Sequence, residues 1–181
     1  IIDNETTYIS DFTFQNYNYF DPCINLDKWD IKNGDLTLSD CHFYNITEAR
    51  CIYITKSDFK VSIQNCEFTN ITVTFDNANG MYSKTPDGAS IYCISSADVK
   101  ITGCTFTNNY ASSCGGAIYG EIQAIDINSC TFVNCATTKD DNNAKGGAIY
   151  LDGKLMNTEE MFYYNVFVNC SSYVGGALYI Y

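Results

Sequence analysis

The fold this 181-residue sequence predicts is all-β: a single right-handed parallel β-helix, a solenoid of about six coils. Three observations lead there. A Phe-x-Asn motif recurs six times, and a second apolar motif follows each copy in constant order. Between them lie short alternating apolar and polar runs, broken by Asn, Asp, Gly and Ser, with no 3.6-residue period to suggest helices.

The first motif stands at Phe14-Gln15-Asn16, Phe43-Tyr44-Asn45, Phe68-Thr69-Asn70, Phe106-Thr107-Asn108, Phe132-Val133-Asn134 and Phe167-Val168-Asn169. The second reads Cys23-Ile24, Cys51-Ile52, Ser90-Ile91, Ala117-Ile118, Ala148-Ile149 and Ala177-Leu178, the last three after Gly-Gly. Seven and five residues before four of the phenylalanines stand Leu36/Leu38, Val61/Ile63, Val99/Ile101 and Ile125/Ile127. A unit of roughly 25 residues with three short strands corresponds to one turn of a parallel solenoid. Coils stack about 4.8 Å apart, so equivalent residues form ladders: Phe on Phe and Ile on Ile, burying surface that a lone coil would expose. Right-handedness follows the crossover preference of parallel strands. The extra length at 72–87 and 136–145 is rich in turn-formers and is expected to bulge from corners.

Residues 1–181 form one β-helix domain by length. The chain opens Ile1-Ile2-Asp3 without a Met and closes in mid-pattern at Ala177-Leu178-Tyr179-Ile180-Tyr181, so it is expected to be a section of a longer β-helix chain. With 10 Lys+Arg against 21 Asp+Glu, a net charge of -11 and Arg50 as the sole arginine, nucleic acid and anionic membrane surfaces are excluded as partners. No apolar run reaches a membrane span.

Ten cysteines and 19 asparagines are conspicuous. Cys41, Cys66, Cys104 and Cys130 lie two residues before a repeat Phe and share its inward side. Cys135 and Cys170 lie three after it, where Ile46 and Ile71 stand in other coils. In-register neighbours are about 4.8 Å apart, longer than a disulfide prefers, so buried free thiols are expected rather than a disulfide ladder. No Cys-x-x-Cys pair exists and His42 is the lone histidine, so no metal and no cofactor is expected.

Tyr53, Tyr92, Tyr119, Tyr150 and Tyr179 each follow the repeat Ile or Leu. With the Ile column inside, this ladder points outward: an exposed aromatic strip for a protein or glycan, or a stack that stabilises the sheet. The repeat asparagines form a turn ladder, expected to be buried. Asn45, Asn70 and Asn169 belong to it and also begin Asn-x-Ser/Thr sequons, which leaves Asn4 as the glycosylation candidate. Catalytic residues are not predicted. Arg50 and His42 fall on different arms of a coil, and the Asp140-Asp141 pair sits in a polar loop with no second group beside it. Thr-x-Thr occurs beside only one repeat Phe, at Thr105/Thr107, which argues against an ice-binding face.

The paired Phe-x-Asn and Gly-Gly-Ala-(Ile/Leu) motifs resemble the repeats of chlamydial polymorphic outer-membrane proteins, and similar repeats in surface proteins of some protists. The resemblance spans residues 8–181. It departs at Asp21-Pro22-Cys23-Ile24, Ala49-Arg50-Cys51-Ile52 and Gly88-Ala89-Ser90-Ile91, which lack Gly-Gly. It implies a right-handed parallel β-helix in a surface-exposed or secreted adhesive or structural protein, and no catalytic residues, since these are packing motifs. The expected function is a non-enzymatic extracellular or cell-surface module that binds protein or glycan through side faces and corner loops. The alternatives are a carbohydrate-active β-helix and an intracellular scaffold that self-associates into a large assembly.

Overall fold

The computed structural model describes residues 7–18, 21–26, 35–55, 60–74, 86–153 and 162–181. Among them there is no helix, and every strand pairing is parallel. The first coil comprises β1 (Thr7–Ser10), β2 (Thr13–Gln15) and β3 (Ile24–Asn25), and the second β4 (Leu36–Ser39), β5 (His42–Thr47) and β6 (Ile52–Ile54). Next come β7 (Lys60–Gln64), β8 (Glu67–Val73), β9 (Ile91–Thr102), β10 (Thr105–Ala111) and β11 (Ile118–Asn128). The last two coils hold β12 (Thr131–Val133), β13 (Ala136–Thr137), β14 (Ile149–Asp152), β15 (Phe162–Tyr163), β16 (Val166–Val168) and β17 (Leu178–Ile180). These strands make six coils with three faces, the parallel β-helix read from the repeats.

Two of the faces merge. β9 and β11 run through a corner, with a register shift between Ile122 and Ala124, so each closes one coil and opens the next. The first and third faces thereby join into one 10-stranded sheet, while the second, carrying the Phe column, is a separate 7-stranded sheet.

The ladders are in register. Phe14, Phe43, Phe68, Phe106, Phe132 and Phe167 stack with ring centroids 4.7–4.9 Å apart and nearly parallel planes. The Ile24–Ile52–Ile91–Ile118–Ile149–Leu178 column faces them across the core. Alternation along each strand puts the intervening residues outside.

Two corners have a fixed backbone. The six repeat asparagines sit at the second corner with φ between 52° and 58°, in the left-handed region that Asn tolerates better than other side-chain-bearing residues. Their amides form a ladder: the Nδ2 of Asn45, Asn70, Asn108 and Asn134 donates to the Oδ1 of Asn16, Asn45, Asn70 and Asn108, at 3.4, 3.0, 2.9 and 3.0 Å. The first corner has a matching column, Asp11, Asp40, Asn65, Gly103, Ser129 and Tyr164, with φ between 51° and 66°. Its residue types vary too much to register as a motif.

The cysteines follow from these corners. Each of Cys41, Cys66, Cys104 and Cys130 comes directly after a left-handed residue and turns its thiol inward to backbone carbonyls. Cys130 donates to Asn128 O at 3.2 Å and to Ile101 O of the preceding coil at 3.7 Å, and the other three repeat the pattern. Asn165 occupies the same column in the sixth coil, donating to Ile127 O at 2.7 Å. At the second corner Cys135 and Cys170 reach Phe106 O and Phe132 O, and the buried Asn109 reaches Phe68 O at 3.1 Å. At the first corner a small inward side chain able to donate a hydrogen bond serves in four cysteines and Asn165, whereas the second-corner column also takes the apolar Ile46 and Ile71. All ten cysteines are free, and seven are buried.

The Gly-Gly motif serves the turn that leads from the asparagine corner into the third face. Gly115 has φ +62°, and a Cβ there would stand 2.0 Å from Ile118 O; one on Gly116 would stand 2.1 Å from Gly147 O of the next coil. The third coil keeps the first of the two glycines, since Gly88 has φ +59° at the equivalent position. The 136–145 insertion is an exposed corner loop over Thr138–Asn143, as its turn-formers indicate. Of the 72–87 insertion, residues 75–85 lie outside the described residues.

Gly116→Ala is expected to cost about 2–4 kcal/mol, because backbone must move in two coils. Gly176→Ala, with nothing within 4 Å of the added Cβ, is expected to cost about 1 kcal/mol, from its φ of +48° alone. Urea unfolding followed by circular dichroism measures both. By the same measurement Asn70→Gly is expected to lose less stability than Asn70→Ala, because Gly keeps the backbone conformation and forfeits only the amide ladder.

Candidate functional site

The tyrosine ladder lies where the pattern puts it, on the outer side of the third face. Tyr53, Tyr92, Tyr119, Tyr150 and Tyr179 are paired in register, and their rings stack at 5.0–5.4 Å. It is not an exposed strip. Tyr53, Tyr92, Tyr119 and Tyr150 are only 5–8% exposed and form a second buried cluster with Ile94 and Cys114 packed against it. The rings of Tyr92, Tyr119 and Tyr150 are each covered on both faces by neighbouring rings, and the glycine corners fold backbone over the ring roots. A Cβ on Gly88 would lie 2.8 Å from Tyr119 Cβ. The expectation of an exposed platform is therefore corrected, and the stabilising reading of the stack matches the geometry.

Cations close the ladder. The buried Arg50 guanidinium lies 4.4 Å from the Tyr92 ring centroid and 5.9 Å from that of Tyr53, and Lys145 lies 4.9 Å from that of Tyr179. Arg50 Nε donates to Asp87 O at 3.0 Å, and the Asp87 carboxylate accepts from Cys114 N at 2.7 Å, tying the second coil to the third and fourth. Burial lowers the pKa of Arg50, opposed by Tyr92 and Asp87 beside it. Burial likewise pushes the Tyr119 and Tyr150 phenols well above their ordinary value, reinforced by Glu121 and Asp152, to which their hydroxyls donate.

On the second face His42, Tyr44 and Glu67 form a surface triad. Glu67 accepts from the Tyr44 hydroxyl and lies 3.2 Å from His42 Nδ1, which holds its carboxyl below the usual carboxylate range. Nothing brings Arg50 to this triad, since it packs on the tyrosine cluster of another face. Asp141 caps its own loop by accepting from Asn143 N at 2.8 Å, and both it and Asp140 are exposed. Among the described residues no group of three or more His, Cys, Asp and Glu is placed to hold a metal ion. No helix among them is long and apolar enough to cross a membrane.

The asparagine ladder is also more open than expected. Asn45, Asn70 and Asn169 are exposed, so burial does not bar their sequons; what engages Asn45 and Asn70 is the amide ladder itself. Asn4 lies outside the described residues.

Comparison with protein families finds a match over residues 103–121 to the Chlamydia polymorphic membrane protein (Chlamydia_PMP) repeat. This stretch runs from the first-corner Gly103 through Phe106 and Asn108 to Gly-Gly-Ala-Ile-Tyr at 115–119, one Phe-x-Asn and Gly-Gly pair. The match covers one repeat, and the stacked parallel coils fit a Pmp-like β-helix repeat. No curated protein and no solved structure matches it.

The half-buried thiols differ in reactivity. Burial pushes Cys23 up to about 12. Cys170 is held down to about 7, chiefly by the hydrogen bond from the Cys135 thiol. An alkylating reagent is therefore expected to modify Cys170 first in the folded chain, with a rate rising from about pH 6 to about pH 8 as its thiolate forms. Cys170→Ser should remove that fast phase, while unfolding without reductant exposes all ten free thiols. Mass spectrometry of the labelled peptides checks both.

Proposed function

We propose that the chain is a surface-associated, non-enzymatic structural and adhesive module, a stiff β-helical section that binds protein or glycan through its outer faces and corner loops. The observation that carries this reading is the division of labour between repeated and unrepeated positions. Every repeated column is a packing column: Phe and Ile in the core, left-handed residues at two corners, glycine at the turn into the third face and the covered tyrosines. The outward rows change from coil to coil. One reads Thr13, His42, Glu67, Thr105, Thr131, Val166, and its neighbour Gln15, Tyr44, Thr69, Thr107, Val133, Val168. A constant frame presenting variable side chains suits recognition. The repeat family supports the location, being that of a surface-associated outer-membrane protein.

Antibodies raised against the chain are expected to label intact cells of the source organism, and external protease is expected to strip that signal. Labelling only after permeabilisation would overturn the surface reading in favour of an intracellular assembly.

A further inference from the structure

The outer face of β1, β4, β7, β9 and β11 holds a trough of about 510 Å³ that no repeat column explains. One row of its lining is Tyr8, Thr37, Ser62, Lys100 and Asp126, paired in register across five coils. A second row holds Asp35, Lys60 and Asp98, with Lys60 and Asp98 paired and Asp35 one residue before Leu36, the partner of Val61. Both rows run along the solenoid axis and advance about 4.8 Å per coil.

Four properties of this lining restrict what it holds. Tyr8 presents an aromatic ring that is 73% exposed, unlike the covered ladder tyrosines. Beside it come two hydroxyls, from Thr37 and Ser62. The charges are interleaved, with Lys100 3.5 Å from Asp126 and Lys60 standing between two aspartates, so three carboxylates and two ammonium groups largely offset one another. The apolar lining residues Leu36 and Val61 are buried beneath it, so no apolar side chain finds a pocket. A peptide cannot add as a strand beside β4, β7 or β9 either, because each is paired on both sides, and the outer edge of β1 faces along the solenoid axis rather than into the trough.

What remains is an uncharged ligand rich in hydroxyls with a flat face. Vicinal hydroxyls satisfy alternating ammonium and carboxylate groups, and a sugar ring stacks on Tyr8. The sugar units of an extended polysaccharide advance at close to the coil spacing, so successive units meet successive coils. We propose that this trough binds a linear neutral oligosaccharide along the solenoid axis, with Tyr8 as stacking platform and Thr37, Ser62, Lys100 and Asp126 as hydrogen-bonding partners. The proposal rests on the reading of the chain as a surface binding module and names the face and ligand class.

Titration calorimetry of the whole chain against neutral gluco- and manno-oligosaccharides of about four units, with uronic-acid oligomers as the acidic counterpart, tests it. Neutral oligomers are expected to bind. Tyr8→Ala and Lys100→Ala are each expected to weaken binding about tenfold. Thr105→Ala, on another face, should leave affinity unchanged, and all three variants should melt like the parent. Absence of binding to every neutral oligomer, a preference for uronates, or unchanged affinity in both trough variants overturns the proposal. A chain that labels intact cells yet binds no neutral oligomer sinks the trough and leaves the surface reading standing. Shortening of the bound sugars would support the trough and overturn the non-enzymatic part of the function.

Discussion

Each coil turns two of its corners on a residue held in the left-handed region, and the rest of the molecule depends on those turns. A single coil has no means of sustaining such a conformation, which costs about 1–2 kcal/mol for a residue with a side chain. Stacking supplies the means. The amide of one corner asparagine bonds to the next, and at the first corner the cysteine immediately after the turn points inward to hold carbonyls of its own coil and the one before it. Because the corner backbone is the same in every coil, strands arrive on each face at the same height. Phe then lands on Phe and Ile on Ile without adjustment of register.

This explains why so much of the fold was legible and which parts were not. Asn16 through Asn169 announce the second corner because Asn is the side chain best suited to a left-handed turn with a ladder. The first corner performs the same backbone task with Asp, Asn, Gly, Ser and even Tyr164, so no residue type repeats and the column is invisible in one sequence. Asn108 and Asn109 are adjacent and of one residue type. Structurally they are opposites, one outward in the ladder and the other buried and bonded to Phe68 O and Ile71 N. The inward cysteines were placed by two-residue alternation, but their role at carbonyls depends on contacts between coils some 25 to 40 residues apart.

The outer surface was harder to read, for a physical reason. Alternation tells which side of a sheet a residue occupies, not whether something else lies over it. The tyrosine ladder is on the predicted side, yet Arg50, the glycine corners and the rings themselves cover it. Tyr8, Tyr164 and Tyr173, which belong to no repeated motif, are among the rings left open. Within this protein, then, recurrence marks what holds the coils together, and departures from recurrence mark the surface it leaves open.

The two long strands that pass through a corner have a mechanical consequence. β9 and β11 are zipped to each other over ten residue pairs on two faces, whereas β14 and β17 share three. A pulling force transmitted along the chain would peel sparsely paired coils one at a time and then meet a clamp at β9 and β11, where both faces must shear together. Tension would thus leave these two strands folded while less tightly zipped coils unravel and recoil, the behaviour of a shock absorber with a stiff link.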